Sequence, residues 1–351
     1  TGVQTCALPI FAHRVSLYSF EKFPPDPKTI KDVTEQNIDW HWFPFSSKPF
    51  PTLQRILRLF RVRGNFDLIH ARSDLPALAA VLRRREPVLW DIRSLWAEQR
   101  RILNPTKFNF IVVFLMHLLR RFLAERIAAY TTLTQAIRPF LTERYPKLPH
   151  FTAVIPTCVD LELFKYSPDF PQKRTALLSG TYNAIYDSSL IKEFNKREIE
   201  QCGTYVVWAR GEESQNTGSL GEKEIVQATH SEMPHIIEDA SFGIAICKND
   251  LGVSLDAAMP TKIAEFLAIG RPVIVNSRLG DCQSILVSNR VAVALDEKLG
   301  IDEALLQLST LIQDPLTAGR CRMVAEKYFS LSNAAKTYTG LYQKVFMLAK
   351  H

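Results

Sequence analysis

Met259–Ile274 reads MPTKIAEFLAIGRPVI. Pro260 suits the first turn of a helix, where a missing N–H costs nothing. Ile263, Phe266 and Leu267 recur at helical spacing and make one apolar face. Gly270 supplies the left-handed residue that ends a helix, and RPVIVN then reads as a buried strand. The first backbone N–H groups of such a helix lack partners and, with the helix dipole, attract an anion. Lys262 adds a full positive charge there, and Glu265 stands one turn further on. The chemistry on offer is capture of a phosphate, with a carboxylate beside it to accept hydrogen bonds from hydroxyls. The plainer alternative is an exposed helix ion pair worth about 0.3–0.5 kcal/mol.

A second set stands in the first half. FDLIHAR ends a strand with His70 and Arg72, and VLWDIR ends the next with Arg93, two residues after Asp91. Open parallel sheets place ligand groups at such strand ends. A lone histidine is most often a satisfied structural residue, and Asp91 with Arg93 reads equally well as a local salt bridge. Two cationic strand ends in neighbouring βα units favour a site.

The elements that must position these residues repeat in one order. RVSLYSF, DWHWFPF, FDLIHA, PVLWDI and AAYTTLT read as strands, with PTLQRILRLFRV and DLPALAAVLRRR as helices among them. TALLSG, TYVVWA, SFGIAIC and RPVIVN repeat the theme later, with PTKIAEFLAIG and DEALLQLSTLIQD as helices. That alternation predicts parallel sheets covered by helices. A chain of 351 residues exceeds what one core usually fills, so two α/β domains are expected, joined near Pro156–Pro168.

Composition narrows the class. Apolar residues make up 46% and charged residues 23%, as in ordinary globular proteins. A net charge of +7 suits an anionic small substrate or an acidic membrane surface and does not argue for nucleic acid. Of the six cysteines, Cys6 lies in the opening stretch TGVQTCALPI; the remaining five, Cys158, Cys202, Cys247, Cys282 and Cys321, are odd in number and widely spaced, which reads as a reducing compartment with neither a disulfide framework nor a metal site. FNFIVVFLMHLL (Phe108–Leu119) is too short to span a bilayer, which takes roughly 20 apolar residues. It reads first as a buried helix with a basic end. The sharper alternative is a basic amphipathic helix resting on anionic lipid.

The opening TGVQTCALPI has no charge and no period. Back-translated, it matches a common sequencing-library adapter in one frame. Thr1–Ile10 is therefore set aside as foreign to the fold, and a true N-terminal segment is expected to be missing.

The ordered set HARSDLPALAA, WDIRSLWAEQR, LTQAI, VIPTCVDLELF, LLSGTYNAIYD, PTKIAEFLAIGRPVIVN and GDCQSIL, closed by NAAKTYTGLYQKVF, resembles the retaining glycosyltransferases of family 4. The resemblance implies the GT-B fold, two Rossmann-like domains facing a cleft. It implies an incomplete acceptor-side domain over residues 11–165, a nucleotide-sugar domain over 166–328 and a crossover helix over 329–351. The first strand and the glycine-rich loop of the N-terminal sheet are missing on this reading, which would leave a sheet edge exposed. The implied activity is transfer of a sugar from a nucleotide-sugar donor to a sugar or lipid-linked acceptor, with retention and without cofactor or metal. The implied place is the cytoplasm, or the inner face of the plasma membrane through peripheral contact. Alternatives are a non-catalytic nucleotide-sugar-binding protein and a GT-B epimerase.

Residue by residue, the resemblance puts the departing diphosphate on Pro260, Thr261 and Lys262 and the ribose on Glu265. It gives His70 or Arg72, with Arg93, to the acceptor side as catalytic candidates. The family's first glutamate falls on Ala257, with Asp256 beside it, a departure. The usual arginine and lysine of the first C-terminal loop are absent from SGTYNAIYD, which keeps Gly180. Arg210 and Lys248 are the candidates to compensate.

Overall fold

A computed structural model describes residues 14–45, 50–83, 85–211, 219–295 and 299–349. Thr1–Ile10 lies outside the described residues. The elements alternate from the start: β1 (Val15–Glu21), α1 (Pro27–Glu35), β2 (Ile38–Pro44), α2 (Pro51–Phe60), β3 (Ile69–Arg72), α3 (Asp74–Arg83) and β4 (Val88–Ile92). Next come α4 (Trp96–Leu103), α5 (Lys107–Ala124), β5 (Ala129–Thr132), α6 (Arg138–Arg144) and β6 (Thr152–Val154). The second half holds β7 (Thr175–Ser179), α7 (Ser188–Cys202), β8 (Tyr205–Arg210), β9 (Glu224–Gln227), α8 (Met233–Glu238) and β10 (Phe242–Ala245). It ends with α9 (Val253–Asp256), α10 (Thr261–Ile269), β11 (Val273–Asn276), β12 (Ala292–Leu295), α11 (Ile301–Gln313), α12 (Thr317–Val324) and α13 (Leu331–Ala349).

The second half builds one six-stranded parallel sheet in the order β12-β11-β10-β7-β8-β9. Strands such as LLS and VIVN are buried on both faces because helices cover both. The order runs outward both ways from β7 and β10, so the chain reverses direction between those two strands.

The first half builds a four-stranded parallel sheet, β3-β4-β5-β6, and a separate parallel pair, β1-β2. Among the described residues β1 pairs only with β2, and β3 only with β4. One edge of β1 and one edge of β3 therefore meet no described strand. Of the described residues between 15 and 60, Ile38 alone is a fully buried apolar side chain.

One face of the four-stranded sheet packs on α3, α5 and α6 through Ala71, Trp90, Tyr130, Leu123 and Leu141. The other face carries Leu89, Ala129 and Ile155 and is covered by α13 through Tyr338, Leu341, Tyr342 and Val345. The last helix thus returns to the first sheet. The two chain crossings run side by side, with Val159 N–H donating to the Phe329 carbonyl and Leu331 N–H to the Val159 carbonyl.

Two expectations about helices are corrected. Helix α10 was read as having one apolar face, yet every residue from Lys262 to Ile269 is buried, and Pro260 is its N-cap residue. Gly270 does end it, at φ 108°. Helix α5 is not a buried helix. Asn109, Val113, Met116, Arg120 and Leu123 face inward, while Phe108, Phe110, Ile111, Phe114, Leu115 and Leu118 are all exposed.

Candidate functional site

Ligands of doubly wound sheets bind beyond the carboxyl ends of the strands, where the strand order reverses. Here that place lies between β7 and β10. The loop after β7 starts at Gly180, held at φ 73°, a conformation that favours glycine. The Trp208 indole N–H donates to the Gly180 carbonyl at 2.9 Å. The loop then folds back onto the end of β10. Lys248 N–H donates to the Ile185 carbonyl, Asp187 N–H to the Ile246 carbonyl, and the Tyr182 hydroxyl to the Ile244 carbonyl at 2.5 Å. Beside this junction lies a pocket of about 300 Å³ lined by Tyr182, Asn183, Tyr186, Asp187, Ser188 and Lys248.

The start of α10 adjoins the same loop. Lys262 is 8% exposed, and its ammonium sits 3.7 Å from the Tyr182 ring centre and 4.4 Å from that of Tyr186. Among the described residues it has no hydrogen-bond partner. Burial pushes the amine down to about 7, against the opposing pull of Cys247 and Glu265. Burial likewise raises the Glu265 carboxyl to about 7, with Lys262 opposing. Glu265 is 7% exposed and faces His230 Nδ1 at 3.9 Å. The exposed ion pair weighed from the sequence is therefore excluded, and so is an open cationic Lys262: the amine is roofed by two tyrosine rings.

The residues leading into α10 touch the first half of the chain. The Thr157 hydroxyl donates to the Met259 carbonyl at 2.7 Å, and the Thr134 hydroxyl to the Asp256 carbonyl at 2.5 Å. Asp281 accepts from the Gln135 and Ala136 N–H groups at 2.7 and 2.8 Å. Gly280 lies so close to Ala258 and Thr134 that a Cβ there would run into them. Ala257 is buried in the cluster that holds Ala71 and Trp90, so this position packs the two halves together. Burial raises the neighbouring Asp256 carboxyl, with Arg278 opposing.

The remaining candidates are dispersed. Arg210 closes β8, its guanidinium 4.9 Å over the Trp208 ring and its Nη1 buried without a hydrogen-bond partner among the described residues. Thr261 is half-buried in the first turn of α10. Arg72 is exposed at the end of β3. His70 is not at an open strand end but on the sheet face beneath α13. Its Nδ1 is 2.7 Å from the Tyr342 hydroxyl, and its ring packs 4.9 Å from Tyr338. Its Nε2 lies 3.8 Å from Asp91 Oδ2, which is also 2.9 Å from Arg93 Nε. Burial alone would raise the Asp91 carboxyl. His70, Arg93 and the Thr131 hydroxyl, which donates at 2.8 Å, hold it below its ordinary value. His70, Asp91 and Arg93 thus form one cluster, and the salt-bridge reading of the last two is what the structure contains.

Sequence reasoning missed Tyr182, Tyr186, Asp281 and Tyr342. The two loop tyrosines had a signal, since they stand in the segment where the resemblance expects a cationic pair. Among the described residues no cluster of three or more His, Cys, Asp or Glu side chains is placed to hold a metal ion.

The buried pair predicts a pH signature. Glu265 rises from 4.5 to about 7 on folding, so its contribution to stability is present below pH 4.5 and lost as pH rises through 7. Lys262 falls from 10.5 to about 7, so its contribution is present above pH 10.5 and lost as pH falls through 7. Subtracting the stability of a Lys262→Met/Glu265→Gln variant from that of the wild type should give a curve with its minimum near pH 7. Chemical unfolding across pH 5–10 reads it, and a flat difference would mean that both groups are solvated.

The six-stranded sheet, the second parallel sheet and the returning helix make the GT-B fold. Residues 7–163 match the sequence profile of Glycosyltransferase Family 4. The match opens inside the ten residues set aside from the sequence. Similar solved structures include the sucrose-phosphate synthase of Thermosynechococcus elongatus (TM-score 0.69, 13% identity, covering 95% of this chain and 100% of that one). A glycosyltransferase of Rickettsia africae superposes with TM-score 0.63 at 13% identity, covering 95% and 98%. Anabaena HepE in complex with UDP-glucose gives 0.61 at 13% identity, covering 94% and 99%. No curated protein matches the chain. No helix among the described residues is long and apolar enough to cross a membrane.

Proposed function

We propose that the protein moves a sugar from a nucleotide-sugar donor to a sugar or lipid-linked acceptor, with retention and without a metal ion. The observation that carries this reading is the buried, unpartnered ammonium of Lys262 beside the reversal-point pocket. An amine kept dry without a hydrogen-bond partner costs stability, and an anion arriving there would supply what it lacks. The donor diphosphate is assigned to the start of α10, at Pro260, Thr261 and Lys262, once the Tyr182 and Tyr186 rings give way. Gly180 allows the backbone to come close. Lys248 supplies charge from the pocket wall, and Arg210 stands further out on β8. Glu265 accepts from ribose hydroxyls. His70, Arg72 and Arg93 remain the acceptor-side candidates, with His70 held in place by Tyr342. No organic cofactor has a role in this scheme. HepE, whose structure is described with UDP-glucose, has the same fold and is consistent with such a donor.

One observation favours a second reading, a nucleotide-sugar-binding protein without turnover: the tyrosine roof over Lys262, together with alanine at position 257. Thermal denaturation with UDP, ADP, GDP and their sugars tests both. A bound nucleotide at 100 times its dissociation constant should add about 2.7 kcal/mol of stability. Stabilisation together with release of free nucleoside diphosphate supports transfer. Stabilisation without release across an acceptor panel supports the second reading, and no stabilisation by any member overturns both.

A further inference from the structure

We infer that the outer face of α5 seats the protein on an anionic lipid bilayer, independently of what the donor site does. Phe108, Phe110, Ile111, Phe114, Leu115 and Leu118 are each at least half exposed. At about 100° per residue they fall within one arc of about 160°, opposite the inward stripe of Asn109, Val113, Met116, Arg120 and Leu123. A helix of a globular protein normally turns polar residues outward, and this one turns large apolar residues outward as well as inward.

Charge selects the occupant. Lys107 and Arg121 lie in the same outward arc, one at each end. The preceding helix brings Arg100 to 5.8 Å from the Phe108 ring centre and Arg101 to 5.4 Å from that of Phe110. From Gln99 to Ala124 there is no Asp or Glu. A second copy presenting the same face would set these cations against their own kind. An anionic surface would pair with them while the aromatic rings enter the headgroup boundary, the mode of an amphipathic helix lying in the interface. The helix lies on the bilayer and does not cross it, since it fails as a spanning segment. Its orientation is set from within, because Arg120 is locked to Asp74 and Glu98 on the buried side.

The test is flotation of the full chain with vesicles of phosphatidylcholine alone and of phosphatidylcholine with 30 mol% phosphatidylglycerol. Binding to the anionic vesicles should exceed binding to the neutral ones at least tenfold and weaken several-fold in 0.5 M salt. Phe114→Glu/Leu118→Glu should lower anionic binding at least tenfold while leaving the melting temperature and circular dichroism unchanged, because both side chains are exposed. Arg100→Gln/Arg101→Gln should reduce the preference for anionic lipid. Equal binding by wild type and the Phe114→Glu/Leu118→Glu variant overturns the inference. So does a stable dimer in solution that this variant dissolves and that leaves no vesicle binding.

Discussion

Replacing Arg120 with methionine should lower the stability of the N-terminal half by about 3–5 kcal/mol, the cost of stripping the partner from a buried ion pair. The Arg120 side chain is fully buried. Nε and Nη2 donate to Asp74 Oδ2 at 3.1 and 2.9 Å, and Nη1 donates to Glu98 Oε1. Asp74 begins α3, Glu98 lies in α4 and Arg120 in α5, so one guanidinium ties three helices together. Methionine would fill most of the volume but leave two carboxylates buried and uncompensated. A whole domain commonly has about 5–15 kcal/mol to lose, so the loss should take a large share of it and move the urea midpoint well down. The deficit should shrink on acidification, as protonation relieves the stranded carboxylates. Asp74→Asn/Glu98→Gln/Arg120→Met should recover much of the loss. Urea unfolding followed by tryptophan fluorescence reads all three states. A loss under about 1 kcal/mol for the single variant would show that water already reaches the pair.

Lys262→Met should split stability from activity. A dry ammonium without a hydrogen-bond partner among the described residues costs stability, so the variant should melt at or above the wild-type temperature. Turnover should fall by roughly 10²–10³, the usual loss on removing one charge-stabilising group from a reaction centre, with a smaller change in donor affinity. Glu265→Ala should do the opposite, weakening the donor's dissociation constant by the ~1.5–3 kcal/mol that hydrogen bonds to a charged group are worth while sparing turnover. Steady-state kinetics and donor titration separate the two patterns. If both variants keep wild-type affinity and turnover, α10 is scaffold and the donor lies elsewhere.

Much of this architecture was legible because parallel strands buried on both faces announce themselves as apolar β-branched runs. PVLWDI, SFGIAIC and RPVIVN could hardly be anything else. The strands that escaped notice, β6, β9 and β12, are three or four residues long, too short for a period to show. The site was legible in spacing but not in burial. PTKIAE locates a lysine and a glutamate one turn apart, yet their desolvation comes from Tyr182 and Tyr186, far back in the chain. The surroundings of His70 were hidden for the same reason. Its partner Tyr342 is 272 positions distant, and no local pattern encodes that contact. Asp74 carried a faint signal, as an acid opening an otherwise apolar helical run, that pairing across helices would have been needed to interpret.

The separate β1-β2 pair has a consequence for how the molecule comes apart. Its seven-residue ladder is held by backbone bonds and partly covered side chains, with Ile38 as its single full anchor in the core among the described residues. Stability in a folded chain is not uniform, and segments with few buried apolar contacts open at a fraction of the global cost. The described residues of β1, α1, β2 and α2 are therefore expected to exchange their amides with solvent before the six-stranded sheet does, an order that hydrogen exchange would read. If that order holds, unfolding of the whole chain should be stepwise, and a single melting temperature would describe only the part that melts last.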